Sequence, residues 1–342
     1  MKALIVRLSS IGDVVHTLPV VAALRRHGWD AGWMLEPVSQ PILPREPFLL
    51  QAAIAPAAAA FSFGAARRVL REVQQQRYDV ALDLQGLWKS ALWARLSGAG
   101  RVVGFASPWR REPLSAMLIR ELFELPSDVS HVIDKNLALL RLIGIDAVGL
   151  RQFPLPTPSE EQVTTLSARM QELGLRDFVV LNPGGGWASK LWPPEKYGML
   201  ARGLRERGFR SVVSWGPGEE RLAERVVAVS DGAAVPCFPT TLTEYLELAR
   251  HARLVVAADT GPLHLACAAM TPVVGLYGPT NPARNGPFSP RDVVVRRTPL
   301  CSPCHKRRCA IHEGVMDVIT PDEVLRAVDR RLGIAGPPAI AV

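Results

Sequence analysis

The sequence predicts an α/β protein made of two Rossmann-like domains in tandem, on three observations. Short apolar runs of strand length alternate along the chain with longer segments of helical periodicity. The run from Val255 to Pro282, V-V-A-A-D-T-G-P-L-H-L-A-C-A-A-M-T-P-V-V-G-L-Y-G-P-T-N-P, spells strand, loop, helix and strand in succession. Between the two halves, Phe153 to Ser159 (F-P-L-P-T-P-S) is proline-rich and reads as a linker. At 342 residues the chain is long enough for about two domains, and boundaries at 1–156 and 157–342 are expected.

In the first half, Ala3 to Leu8 reads as a strand, S-S-I-G-D as a tight loop turned by Gly12, and Val14 to Arg26 as one helix. Arg67 to Gln76 reads as a polar-faced helix, Asp79 to Leu84 as a buried strand and Lys89 to Ser97 as the helix after it. Val102 to Phe105 is expected to be the closing strand. The second half restarts with the strand Phe178 to Leu181, a Gly-rich loop and a helix from about Glu195 to Arg207. Ser211 to Trp215 is a further strand, and a helix begins near Glu219. Thr241 and Glu244 have capping-box spacing ahead of a helix over Tyr245 to His251. Leu254 to Ala258 and Val273 to Tyr277 are the last strands of this reading.

Composition bounds the function. With 48% hydrophobic and 21% charged residues the chain is an ordinary globular protein rather than a fibrous or disordered one. A net charge of +8 favours an anionic partner: nucleic acid, a phosphorylated glycolipid or an acidic membrane face. Met1 leads straight into a strand with no small-residue cleavage site behind it. The alanine-rich stretch Gln51 to Phe63 is broken by Pro56 and falls short of the ~20 residues of a membrane span. A cytoplasmic protein is expected.

Two loops of the second half suit a diphosphate. After the strand ending at Ala258 comes Asp259, then Thr260 as a candidate helix cap, Gly261 in the turn and Pro262 near the first helical position. Such a turn aims free N–H groups and the positive end of a helix at one point. In the other loop, Gly184, Gly185 and Gly186 allow backbone N–H groups close to phosphate, Ser189 offers a hydroxyl and Lys190 a positive charge. Asp259 repels phosphate, so its expected task is to orient Lys190 or the turn amides, or to face a sugar.

S-S-I-G-D-V-V-H-T-L-P from Ser9, N-P-G-G-G-W-A-S-K-L-W-P-P-E-K-Y from Asn182, A-D-T-G-P-L-H-L-A from Ala258 and Y-G-P-T from Tyr277 together resemble the lipopolysaccharide heptosyltransferases of glycosyltransferase family 9. D-L-Q-G-L-W-K-S from Asp83 and R-E-P-L-S from Arg111 add to the resemblance, which runs from Met1 to about Pro282 and is nearest the heptosyltransferase I branch. It implies a GT-B fold, two Rossmann-like domains facing across a cleft, with the acceptor on the N-terminal domain and the nucleotide sugar on the C-terminal one. The implied reaction moves a heptose from an ADP-heptose donor to a Kdo-bearing lipid A acceptor, with inversion and without a metal. An anionic glycolipid partner further implies peripheral contact with the inner face of the cell membrane.

On that resemblance Asp13, just after a strand and behind Gly12, is the base that takes the acceptor proton; from the residues alone it reads equally as a cap of the following helix. Lys190 stabilises the departing diphosphate. Glu219 or Glu220, in W-G-P-G-E-E, is expected on the ribose hydroxyls, or else as a first-turn helix acid. His264 matches a family position near the donor, although a histidine on an apolar helix face is often only packed. Ser10, Gly12, Lys89 and Arg111 are expected at the acceptor, with Arg110, Arg67 and Arg68 as weaker candidates. Trp88, Trp93 and Trp109 form a candidate apolar ledge toward lipid, against core packing for Trp93.

C-S-P-C-H-K-R-R-C from Cys301 leaves two readings open. Cys301, Cys304 and Cys309 with His312 or His305 have the donors of a structural zinc site; the same loop also reads as reduced and reactive. Related sequences often carry a further cysteine where Val315 stands. No metal is expected in catalysis. The alternatives are a family 9 transferase with another nucleotide sugar or glycan acceptor and, from a different class, a zinc-containing nucleic-acid binder. The latter leaves Asp13 and both phosphate loops without a task.

Overall fold

The computed structural model describes residues 1–44, 51–53, 63–300, 302, 304 and 314–334. The chain divides into two compact units, Met1–Thr157 and Pro158–Val342. Residues 151–159, which include the proline-rich stretch, carry no regular structure, because successive prolines supply no N–H for a helix or a ladder.

The first unit runs β1 (Lys2–Val6), α1 (Ile11–Val15), α2 (Leu18–Arg26), β2 (Asp30–Leu35), β3 (Gln51–Ala53), α3 (Phe63–Gln75), β4 (Val80–Asp83), α4 (Trp88–Leu96), β5 (Arg101–Phe105), β6 (Glu121–Phe123) and α5 (Val132–Ala138). Its strands form one sheet in the order β3-β2-β1-β4-β5-β6, every pair parallel. This is the 3-2-1-4-5-6 winding of a dinucleotide-binding fold. β1 and β4 are buried along nearly their whole length, as strands covered by helices on both faces must be. Leu4, Val6, Met34 and Ala81 pack there with Ala91 and Ala94 of α4.

Two expectations are corrected here. The helix expected over Val14 to Arg26 is two helices broken at His16 and Thr17. Pro19 has no N–H to give the Val15 carbonyl, Val20 N–H turns to the Thr17 carbonyl at 2.9 Å, and Asn136 of α5 donates from Nδ2 to the His16 carbonyl so left at 3.2 Å. The strand Val102 to Phe105 does not close the sheet; β6 lies outside it, paired through Val103, Gly104 and Phe105.

The second unit runs α6 (Glu160–Glu172), β7 (Phe178–Asn182), α7 (Pro194–Glu206), β8 (Arg210–Val213), α8 (Glu220–Val229), β9 (Ala234–Pro236), α9 (Leu242–His251), β10 (Leu254–Ala258), α10 (Gly261–Ala268), β11 (Val273–Tyr277), α11 (Pro282–Asn285), β12 (Val293–Arg296) and α12 (Pro321–Leu332). Its sheet, β12-β11-β10-β7-β8-β9, repeats the winding of the first, again all parallel. The capping box expected at α9 is formed: Glu244 N–H donates to Thr241 Oγ1 at 3.2 Å and Thr241 N–H to Glu244 Oε2 at 2.7 Å.

In such a sheet, ligands bind beyond the carboxyl ends of the two strands at which the strand order reverses. Those strands are β1 and β4 in the first unit and β7 and β10 in the second. The loops leaving them contain S-S-I-G-D and L-Q-G in one unit, P-G-G-G and D-T in the other.

Candidate functional site

In the second unit the loops after β7 and β10 meet at Asp259. Its carboxylate is 2% exposed and accepts at Oδ2 from Lys190 Nζ, 2.7 Å away. At Oδ1 it accepts from Asn285 Nδ2 at 2.7 Å and lies 3.0 Å from His264 Nε2. Burial alone would raise the pKa of this carboxyl, but the His264 hydrogen bond and the Lys190 charge outweigh it and hold the group well below the usual carboxylate range. Lys190 also donates to the Asp259 carbonyl at 3.1 Å and lies over the Trp187 ring. Of the tasks open to Asp259, orienting Lys190 is the one the structure displays.

Buried tyrosines fix the walls. The Tyr197 hydroxyl donates to the Asn182 carbonyl at the end of β7, that of Tyr245 to the Pro262 carbonyl and that of Tyr277 to the Asn285 carbonyl. Burial raises the pKa of all three, so each remains a neutral donor. α10 is apolar on every side and buried, with His264 on it also buried.

Thr260 stands at the N-cap position, but its side chain does not cap; Oγ1 turns back to donate to the Ala258 carbonyl at 3.1 Å. The leading turn of α10, Gly261 and Pro262, is therefore not capped by the Thr260 side chain. The Gly-rich loop is also built differently from the expected cradle. Gly185 N–H already donates to Glu219 Oε1 at 2.7 Å, while Glu219 Oε2 accepts from Gly216 N–H at 2.9 Å. A Cβ on Gly184 would collide with that carboxylate, so this position needs glycine for side-chain room. Gly186 is exposed with open space about it, and Ser189 is half-buried in the turn Ala188–Lys190. Glu220, exposed at the start of α8, accepts from Gly218 N–H at 3.2 Å.

In the first unit Asp13 is the third residue of α1, whose first turn takes up part of the loop expected there. Its Oδ1 pairs with Arg7 Nη2 at 2.5 Å, and Oδ2 accepts from Ser10 N–H at 3.3 Å and Ser10 Oγ at 3.2 Å. Arg7 is buried and also donates to the Leu84 carbonyl, bridging the loops after β1 and β4. Gln85 reinforces that bridge, accepting from Leu8 N–H at 3.0 Å and donating to the Ser9 carbonyl at 3.3 Å. Gly12 is buried beneath Asp13.

Lys89 is exposed on α4 and pairs with Glu36 at 3.0 Å; Arg111 is exposed. Arg110 departs from the expectation of an acceptor cation. Its side chain is buried, pairs with Asp83 at 2.5 Å and donates to Ser115 Oγ at 2.8 Å, which makes it a brace of the fold. Arg67 and Arg68 are exposed on α3. Trp93 is partly buried against the core, whereas Trp88 and Trp109 are exposed. Of the candidate metal ligands, Cys301, Cys309, His305 and His312 lie outside the described residues, and Cys304 is half-buried. Among the described residues no group of three or more His, Cys, Asp or Glu side chains is placed to hold a metal ion.

Arg7 and Asn285 were not singled out as candidates from the sequence. A charge closing the apolar run K-A-L-I-V marks Arg7 as unusual. Asn285 sits in a breaker-rich stretch and reaches Asp259 only through the fold, 26 residues away in sequence.

The family profile of glycosyltransferase family 9 (heptosyltransferase) matches residues 66–314. Lipopolysaccharide heptosyltransferase 1 of Pseudomonas aeruginosa is 31% identical over 326 residues, covering 90% of this chain and 87% of the relative. A glycosyl transferase family 9 structure from Veillonella parvula superposes with a TM-score of 0.79 at 19% identity, covering 98% of this chain and 97% of that one. An E. coli heptosyltransferase solved with ADP superposes with a TM-score of 0.75 at 24% identity, covering 97% of this chain and all of that one (100%). The fold expected of the sequence, GT-B, is the fold of these structures.

Proposed function

Because this chain belongs to glycosyltransferase family 9, the heptosyltransferases, we propose that it moves a heptose from ADP-heptose to the Kdo-bearing inner core of lipid A, with inversion and without a metal. The observation that carries the reading is the network of Lys190, Asp259, His264 and Asn285 beside the uncapped amino end of α10. It joins a fixed cation to a positive helix end at the point where a doubly wound sheet takes its ligand. The activity named for the P. aeruginosa relative and the ADP held by the E. coli one support the donor and the acceptor class.

In this mechanism the acceptor hydroxyl gives its proton to the Asp13 carboxylate and its oxygen attacks the anomeric carbon. The bond from that carbon to the β-phosphate oxygen breaks, and ADP leaves with the electron pair. A single displacement inverts the centre, so one carboxylate base suffices. Lys190 spends two N–H donors on Asp259 and turns the third to the diphosphate, with Ser189, Gly186 and the Gly261 amide beside it. Asp259, His264 and Asn285 hold the lysine in place. Glu219, by gripping Gly185 and Gly216, shapes the loop and takes the ribose hydroxyls, with Glu220 at the loop's rim. On the first unit, Ser10, Gly12, Lys89 and Arg111 hold the acceptor's carboxylates and phosphates. A cytoplasmic enzyme at the inner membrane face follows from a lipid-linked acceptor.

The test is ADP release and product mass with ADP-heptose and Kdo-lipid A, beside a panel of nucleotide sugars. Turnover with ADP-heptose alone is the expected result. Turnover confined to another sugar nucleotide would make this a family 9 transferase of different specificity.

A further inference from the structure

One surface of the first unit presents apolar side chains that its core does not use. Trp88, Leu92 and Leu96 are all exposed on α4, with Leu92 at 48%. At about 100° per residue they span an arc of about 80°. Arg95 falls at one edge of that arc and Lys89 at the other, both exposed. The opposite side of α4, through Ala91 and Ala94, is packed in the core, so the stripe faces outward.

The 3-10 turn Pro113–Leu118 continues the surface. It is tied to α4 by Glu112, which accepts from Trp88 N–H at 2.5 Å. Ser115 and Ala116 are buried on its inner side, while Leu114 and Met117 stand 68% and 76% exposed. Arg111 and Arg120 flank the turn. Arg95, Arg111 and Arg120 make no ion pair with any described residue. Adjoining apolar side chains rimmed by unpaired cations fit the boundary between acyl chains and anionic headgroups. The chain's +8 net charge acts in the same sense, and no helix among the described residues is long and apolar enough to cross a membrane.

We propose that the outer face of α4, with Leu114 and Met117 beside it, docks the first unit on an anionic lipid bilayer. The proposal deepens the reading above, whose lipid-linked acceptor gives docking a purpose, but the binding itself needs no acceptor. α4 starts just beyond β4, at the sheet edge that also carries Asp13, and Lys89 at its first turn pairs with Glu36, whose N–H donates to the Leu8 carbonyl. A bilayer on this face therefore lies along the edge from which Asp13 works.

The experiment is co-sedimentation of the full chain with vesicles of phosphatidylethanolamine and phosphatidylglycerol, and with phosphatidylcholine vesicles as the neutral control. The wild type is expected on the anionic vesicles and not on the neutral ones. The pair Leu92→Glu with Met117→Glu should lower partitioning about tenfold. Arg95→Glu with Arg120→Glu should abolish the preference for anionic lipid, and melting temperature and ADP affinity should not change in either variant. Equal binding by wild type and the Leu92/Met117 variant, or no binding by the wild type, overturns the proposal. So does a wild-type dimer that the Leu92/Met117 variant dissociates with vesicle binding unaltered, since the face would then belong to a second copy. Transfer to a detergent-dispersed acceptor separates the two readings. Its absence with vesicle binding intact counts against the proposed function alone.

Discussion

The two oxygens of Asp13 have different partners, Arg7 on one and Ser10 on the other, so the carboxylate is aimed as well as charged. Asp13→Asn keeps the shape and the Ser10 contact while removing the proposed base. Turnover should fall by about 10³-fold or more with ADP affinity nearly unchanged; near-normal kcat would leave Asp13 only its part in the first turn of α1. Lys190→Ala should act on the donor side, lowering kcat by about 10²–10³-fold and weakening ADP together. Unchanged steady-state kinetics would place the diphosphate elsewhere. Asp259 adds a pH signature. A carboxyl depressed on folding contributes its stability in full above its unfolded value of about 3.9 and loses it as pH falls toward the folded value. In urea unfolding, Asp259→Asn should cost about 3 kcal/mol at pH 7 and progressively less below about pH 4. A deficit that ignores pH would assign the loss to packing. Sequence spacing marked Lys190 and Asp259 separately because each closes a strand-loop motif. The Lys190 pair was one of three tasks the sequence left open to Asp259; the choice among them, and the arrival of Asn285, are tertiary information, carried by a contact spanning 69 residues in one case and 26 in the other.

At the scale of elements, the strands legible in the sequence are those covered on both faces. A-L-I-V of β1, V-V-L-N of β7, L-V-V-A-A of β10 and V-V-G-L-Y of β11 are buried throughout and read as continuous apolar runs. The edge strands β3, β6 and β9 have three residues each, too few for any period to show. β2 is central and buried yet lacks β-branched residues, and it contains Gly32, where a Cβ would run into the Tyr78 hydroxyl. The break between α1 and α2 was equally hidden, since the apolar spacing runs on through it. Its stability depends on Asn136, which also donates to Thr17 Oγ1 at 3.3 Å. Asn136→Leu is therefore expected to cost about 1–3 kcal/mol in denaturant unfolding by orphaning the His16 carbonyl. It should also lower kcat through the displaced first turn that carries Asp13, with ADP binding on the other unit unaffected. Wild-type stability in this variant would mean that the break rests on Pro19 alone.

At the scale of the whole molecule, the same 3-2-1-4-5-6 winding occurs twice with different chemistry at its two switch points. The first carries a carboxylate held by a buried arginine, the second a lysine held by a buried carboxylate. In the proposed mechanism that difference divides the labour: a base where a hydroxyl must lose its proton, a cation where a diphosphate must leave. It also bears on metal dependence. The proposed mechanism assigns the leaving group's charge to Lys190 and the amino end of α10 rather than to a divalent ion, so brief EDTA treatment without added magnesium should leave initial rates unchanged. The cysteine cluster calls for a separate readout. Zinc held by Cys301, Cys304 and Cys309 would contribute folding free energy, so chelation strong enough to strip it should lower the melting temperature before it touches the rate. Zinc stoichiometry, melting temperature and initial rate measured on one chelated sample separate the two. A prompt loss of rate that magnesium restores, with the melt unchanged, would sink the metal-independent mechanism and put a cation beside Lys190.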